Sequence, residues 1–300
     1  LDEHLAEPAL GLDVETEFAA FVEAAHHLGI RIVVEFVFRT AAKDAAWAKE
    51  HPEWFYWIRA DVPDRRNGEK SEDTYGAPLF APDELKNIYD AVGNGRFHEL
   101  LPPHQTYRDM FTVPPAPETV RLENGCWRGT APDPRNGQPV SVRIPGAFCD
   151  WGPDSEQPPW TDVTYLRLYD HPDFNYIAYN TVRMYSAQLA RPEHVVRPLW
   201  EKITEVIPHY QTHFKVDGVM IDMGHALPAD LKRGLVARAR QVDPDFALWA
   251  EEFNLTPHAR EEGYNVCVGP FMQTVRNAEN FRGWLRWIHG AGLPVPFMAM

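Results

Sequence analysis

Three carboxylates in one stretch carry the most concentrated chemistry of this chain. Between Val216 and Asn254 the sequence reads VDGVMIDMGHALP, a middle segment containing LKRGLVARARQVD, and then PDFALWAEEFN. The apolar run Gly218 to Ile221 stops at Asp222, and the run Phe246 to Ala250 stops at Glu251 and Glu252. Acids set at the ends of apolar runs can act as nucleophile, general acid or general base, provided the fold brings them together.

Apolar runs bounded by turn residues predict strands buried on both faces, as in a parallel sheet. The segment between them predicts a helix beginning at Pro228, a residue suited to a first helical turn. Leu231, Leu235, Val236, Ala239 and Val242 share one helical stripe, with Lys232, Arg233, Arg238 and Arg240 outside it. The unit is therefore β-α-β. A crossover connection sends both strands the same way and puts both acids on one edge of the sheet. That edge, the C-terminal ends of parallel strands, is where a (β/α)-barrel enzyme keeps its catalytic groups.

A second buried strand is predicted over Arg31 to Phe38, RIVVEFVF, interrupted by one acid. A carboxylate in such a run is costly without a partner or a pocket. Glu35 is thus either a site residue or one half of an ion pair, with Arg39 its nearest candidate partner. Before it, Phe18, Phe21, Val22, Ala25 and Leu28 predict a helix over 16 to 28 that closes at Gly29, with His26 and His27 as cations at its end.

Composition narrows the functional classes. The formal net charge of −14 argues against nucleic acid and anionic lipid as partners. Cys126, Cys149 and Cys267 are widely spaced and show neither a disulfide framework nor zinc-type pairing, which favours a reducing, cytoplasmic location. No apolar stretch approaches the ~20 residues of a membrane span, and no signal peptide is expected from the acid-rich start. Neither a cofactor nor a metal is expected, and the oligomeric state is left open.

From about Asp44 to Tyr179 the helix and strand alternation lapses. Many of the ten tryptophans and 27 prolines gather there. A structureless loop of that length is implausible in a compact domain, so an inserted subdomain is expected. PVSVRIPGAF and DVTYLRLYD predict short strands within it, and PPAP at 114 to 117 a rigid loop. Beyond it, a helical pattern over 193 to 214 carries Pro198 and Pro208 as expected kinks. Tyr264 to Val268 reads as a strand, 276 to 289 as a helix, and Val295 to Met300 as the start of another strand.

The runs around Glu35, Asp222 and Glu251 resemble three short motifs of the α-amylase superfamily, glycoside hydrolase family 13. EFVFRTAAKD, HPEWFYWI, PPWTDVTYLRLYDHP, IPHYQ and DGVMIDMGHALP resemble the bacterial maltosyltransferases of that superfamily more closely. The resemblance implies an α/β fold, a partial (β/α)8 TIM barrel with a subdomain inserted after strand three. Its expected bounds are residues 1 to 50 and 181 to 300 for the barrel and 51 to 180 for the insert. It implies a fragment without the first and last barrel strands. It also implies action on an α-1,4-glucan or malto-oligosaccharide by a retaining mechanism, transferring maltosyl units or hydrolysing in the manner of an α-amylase.

On that resemblance Asp222 takes the nucleophile position and Glu251 the acid/base position, with Glu252 the adjacent alternative. Glu35, Arg39, His225 and Glu252 become candidate substrate-binding residues. Phe246, Trp249 and Phe253 would desolvate the acid, and the tryptophans of 54 to 57, Trp151 or Trp160 could stack on sugar rings. One departure weighs against activity. The superfamily has an arginine two residues before the nucleophile, and here Met220 stands there, unable to hold a carboxylate ionised. A catalytically silent glucan-binding protein is the competing reading. A metal-dependent barrel enzyme using Asp222, His225 and Glu251 as ligands is a third.

Overall fold

The computed structural model describes residues 5–61, 111–145, 182–186, 192–222, 227–251, 258–268, 277–290 and 297–298, with Gly224 and a few isolated positions between 83 and 96. The chain divides into two compact units. One joins Leu1–Phe38 to Glu201–Met300, and the other is Arg39–Trp200.

The chain opens with helix α1, Val14–His27. Asp13 caps it, its carboxylate accepting from the Thr16 amide at 2.8 Å, which satisfies one of the donors that a helix start leaves bare. Gly29, at φ +74°, closes it in the left-handed conformation expected of a terminating glycine. Strand β1 follows at Val33–Phe36. It is shorter than predicted, and Glu35 within it is exposed rather than buried. The reason is positional, since β1 is the edge strand of its described sheet and has the strand Gly218–Ile221 as its neighbour there.

The second unit contains the short helix α2, Ala46–Glu50, and strands β2 (Trp57–Arg59), β3 (Phe111–Thr112), β4 (Arg121–Glu123), β5 (Cys126–Pro132) and β6 (Pro139–Arg143). They form an antiparallel sheet in the order β3-β2-β6-β5-β4. β6 lies within the predicted PVSVRIPGAF strand, while DVTYLRLYD, Cys149, Trp151 and Trp160 fall outside the described residues. Trp54 and Trp57 are core residues, and the Trp57 indole donates to the Pro52 carbonyl at 2.8 Å. Neither is available to stack on a sugar, which corrects the expectation for 54 to 57. Cys126 is buried and free, and burial pushes its thiol up despite nearby Arg143, Lys43 and Arg128. Such a thiol is a structural one.

Helix α3, Arg197–Thr204, leads into α4, Val206–His209, and a π-helical turn, Tyr210–Phe214. Pro208 lacks the amide that would bond back to residue 204, and the helix is broken at Glu205. Pro198 sits in the first turn of α3, where no amide is needed, so it makes no kink. Phe18 of α1 packs edge-on against Tyr210 and Phe214. Lys215, at φ +60°, turns the chain out of the π turn and toward β7, Gly218–Ile221.

Helix α5, Ala229–Val242, joins β7 to β8, Ala247–Glu251. Leu231, Leu235 and Ala239 are buried on its inner stripe as predicted, and the Gln211 amide donates to Ala239 O from the π turn. Lys232 departs from the pattern. It is buried and pairs with Glu262 at 2.9 Å, an arrangement the one-stripe reading had put in solvent. Helix α6 (His258–Glu261), strand β9 (Val266–Val268), helix α7 (Ala278–Gly290) and strand β10 (Phe297–Met298) complete the unit.

β1, β7, β8, β9 and β10 form one sheet in that order, and every adjacent pair is parallel. The unit is therefore α/β. Val219, Ile221, Leu248, Ala250 and Cys267 share one wholly buried face, as expected where connecting helices cover a parallel sheet. The other face carries Gly218, Met220, Ala247, Trp249 and Glu251.

Gly218 is required for close packing on that second face. A Cβ there would lie 2.7 Å from the Ala247 Cβ, 2.8 Å from its carbonyl oxygen and 3.1 Å from a Val33 methyl. Two of those three atoms are backbone or immediately attached to it, so the site cannot give way cheaply. Gly218→Val should cost about 1–3 kcal/mol of stability. Urea unfolding would read this as a lower midpoint, and an unchanged midpoint would contradict the packing described.

Candidate active site

β7 and β8 run parallel with Gly218, Val219, Met220 and Ile221 set against Ala247, Leu248, Trp249 and Ala250. One residue further along, that register sets Asp222 against Glu251. Neighbouring strands lie about 4.8 Å apart, so the two acids stand side by side at the C-terminal edge of the sheet. Asp222 is anchored there by its own backbone, its amide donating to the Phe36 carbonyl of β1 at 3.0 Å. Glu251 is the last residue of β8 and pairs with Val268 of β9. Both side chains are partly exposed, as reacting groups must be. In continued register the Cα positions of the two acids are neighbours across β7 and β8.

Below them is a row of Cα partners across four strands: Glu35, Met220, Trp249 and Val266. Because side chains alternate along a strand, this row shares its face with Asp222 and Glu251. Glu35 is therefore a third carboxylate on the same face, one row lower and one strand over. Met220 is buried between Glu35 and Trp249 in that row, so the position where a cation was expected holds a thioether.

Arg39 is 1% exposed and opens the second unit, where its carbonyl accepts from the Val182 amide. His225, Glu252 and Phe253 lie outside the described residues. Tyr264 was noted in the sequence only as part of a strand. It is buried, and a methyl group built on Gly224 would sit 3.6 Å from its hydroxyl. The loop leaving Asp222 thus packs against the approach to β9. A lone tyrosine ahead of a strand gives no sequence signal of that kind. Among the described residues no group of three histidine, cysteine or acidic side chains is placed to hold a metal ion. No described helix is long and apolar enough to cross a membrane.

At the opposite end of β7, Asp217 fixes the strand that carries Asp222. Its carboxylate accepts from the Ile32 amide at 2.8 Å, from His26 at 2.8 Å and from Arg31 at 2.6 Å. Its own amide donates to the Ile32 carbonyl, so β1 and β7 enter the sheet clamped in register. Burial alone raises the Asp217 carboxyl, but the Ile32, Arg31 and His26 hydrogen bonds outweigh it and hold the group below the usual aspartate range.

Over 121 residues, 39% of this chain, the sequence is 48% identical to an α-1,4-glucan:maltose-1-phosphate maltosyltransferase of Cereibacter sphaeroides. A second maltosyltransferase of that name, also from Cereibacter sphaeroides, is 46% identical over 121 residues. The chain is related to the α-amylase superfamily. These matches cover 15% and 17% of the two relatives' own length. No family model matches the chain.

Among solved structures of the superfamily, an Anoxybacillus α-amylase aligns with 95% of this chain and 42% of its own, at 10% identity and a TM-score of 0.44. A maltogenic α-amylase from Thermotoga neapolitana aligns with 96% of this chain and 41% of its own, at 14% identity and a TM-score of 0.40.

The Asp217 clamp has a definite pH signature. A carboxyl whose folded pKa is depressed stabilises the fold above its unfolded pKa, about 3.9, and that contribution is lost as pH falls through the lower folded value. Asp217→Asn should therefore lower the melting temperature at pH 7, with the gap to the parent closing below about pH 4. A gap that stays constant through the acid range would show that the carboxylate charge is not what holds β1 to β7.

Proposed function

We propose that this chain is part of a carbohydrate-active enzyme that cleaves α-1,4-glucosidic bonds by a retaining mechanism and passes maltosyl units to a glucan acceptor. The single observation that carries this reading is the pairing of Asp222 with Glu251 in continued register on adjacent parallel strands. Retaining enzymes hold their two carboxyl groups about 5–5.5 Å apart, whereas inverting enzymes leave about 6.5–9.5 Å for a water. Neighbouring strands at about 4.8 Å suit the first arrangement.

In this reading Asp222 attacks the anomeric carbon while Glu251 protonates the leaving glucosidic oxygen. The ester then breaks when Glu251, now a base, takes a proton from the incoming hydroxyl. Glu35, Arg39, His225 and Glu252 bind sugar hydroxyls around the pair. The five-stranded parallel sheet is an arc of a (β/α)8 barrel, with the inserted subdomain after its third strand and domain bounds at 1–50, 51–180 and 181–300. The identity to maltosyltransferases favours transfer over hydrolysis, and the widely spaced cysteines favour a cytoplasmic location.

Met220 supports a second reading, glucan binding without turnover. A methionine in the row beneath Asp222 leaves that position without the cation that holds a nucleophile ionised in the family. Binding of malto-oligosaccharide with no product, and activity gained on Met220→Arg, would favour it.

The test uses the full-length protein and a malto-oligosaccharide of one length. Products longer than the substrate are expected, and shorter products alone would indicate hydrolysis. Asp222→Asn and Glu251→Gln should each lower kcat/KM by about 10²–10⁴-fold. Turnover that survives Asp222→Asn would remove the aspartate from the mechanism.

A further inference from the structure

Resting on the retaining reading, we infer that Tyr264 is a positioning residue for the nucleophile, its buried hydroxyl seating the turn that leaves Asp222 and so holding that carboxylate at the anomeric carbon.

The turn folds away from the acids. Ile221 ends β7 on the wholly buried face of the sheet, and Asp222 follows on the opposite one. Gly224 then lies back over the buried side, where a Cβ built on it would stand 3.5 Å from an Ile221 methyl and 3.6 Å from the Tyr264 hydroxyl. The Gly224 carbonyl accepts from the Leu227 amide at 3.2 Å, and Leu227 is fully buried. Asp222 is thus held from two sides. Its amide donates to the Phe36 carbonyl of β1, and two residues later the chain rests on Tyr264.

Tyr264 is itself fixed by its neighbours in sequence. Glu262 pairs with Lys232 of α5 at 2.9 Å. Gly263, at φ +96°, brings the chain so close to α5 that a Cβ there would lie 2.6 Å from a Val236 methyl. Its carbonyl accepts from the Arg240 guanidinium at 3.1 Å. The Asn265 side-chain oxygen accepts from the same guanidinium at 2.7 Å and from the Leu248 amide at 2.8 Å. Residues 262, 263 and 265 are therefore tied to α5 and β8. Between them stands Tyr264, 3% exposed, with its hydroxyl closed off from solvent. A backbone pinned in this way does not follow the turn when the side chain changes, so the length of the phenol sets the height at which Gly224 rests.

The consequence is chemical. In the first step an Asp222 carboxylate oxygen bonds to the anomeric carbon as the bond from that carbon to the glucosidic oxygen breaks. The electron pair leaves with that oxygen, and Glu251 supplies its proton. Reacting groups must be held within about 0.5 Å of the productive geometry, and a misplacement of about 1 Å costs about 10²-fold in rate. Removing the hydroxyl opens an oxygen-sized gap beneath Gly224, too small for water to fill, and the atoms lining it lose their contacts. The turn then settles, and Asp222 moves with it.

The test is the release of fluoride from α-maltosyl fluoride by the full-length enzyme, followed before the steady state. Fluoride leaves without a proton from Glu251, so the initial burst reads the attack of Asp222 alone. Tyr264→Phe keeps the ring and should lower the burst rate constant about 10-fold, with the amplitude near the parent's. A merely structural role would do the reverse, lowering the amplitude through loss of folded enzyme and sparing the rate constant. If release is linear from the start, attack is rate-limiting, and kcat per folded molecule gives the same comparison. If Tyr264→Phe does not fold, Gly224→Val crowds the same contact from the turn side and should slow the same step. A rate constant equal to the parent's, or a loss of amplitude alone, would overturn the inference. Failure of the underlying reading is separate: it would show as fluoride release persisting in Asp222→Asn, whatever Tyr264 does.

Discussion

The structure depends on the register between β7 and β8. Gly218 lies against Ala247 and Ile221 against Ala250, and that alignment decides what stands opposite what at the C-terminal edge. A shift of one residue would turn every side chain of the strand to the other face. Asp222 would leave the face of Glu251, and Val219 and Ile221 would leave the buried face. The hydrophobic face and the acid pair are therefore specified by the same hydrogen-bond ladder. Any sequence change that keeps the core apolar pattern keeps the acids together as well.

Two local devices hold that register from below. Gly218 lets β7 approach β8 and β1 with no side chain between them. Asp217 ties the entry of β7 to Ile32, Arg31 and His26. Neither touches the acids, yet both set where Asp222 arrives. The row above them, Glu35, Met220 and Trp249, lies directly beneath the row that carries the acids.

Much of this was legible in the sequence. The apolar runs ending in acids became strands ending in acids, because short, turn-bounded apolar stretches have few other ways to be buried. The helix between them formed, with Leu231, Leu235 and Ala239 of its predicted stripe buried but Val242 exposed. What the sequence did not disclose were relations set by tertiary context. Glu35 looked like a buried charge, but β1 is an edge strand of the sheet formed by the described residues and Glu35 is exposed. Lys232 looked solvated, but Glu262, thirty residues later, buries it as an ion pair. Trp54 and Trp57 looked available for stacking and are instead core. The Asp217 clamp joins three groups from the end of α1 and the start of β1, and no local pattern marks it. His225 and Glu252 lie outside the described residues.

The most direct measurement of the central claim is to trap the covalent intermediate on the full-length enzyme. A slowly turned-over fluorinated α-glucosyl donor would be added, and the digested protein would be mapped by mass spectrometry. The account predicts one glycosyl adduct, esterified to Asp222, with its hydrolysis slowed by Glu251→Gln. An adduct on another carboxylate, or inversion at the anomeric carbon without any adduct, would contradict it.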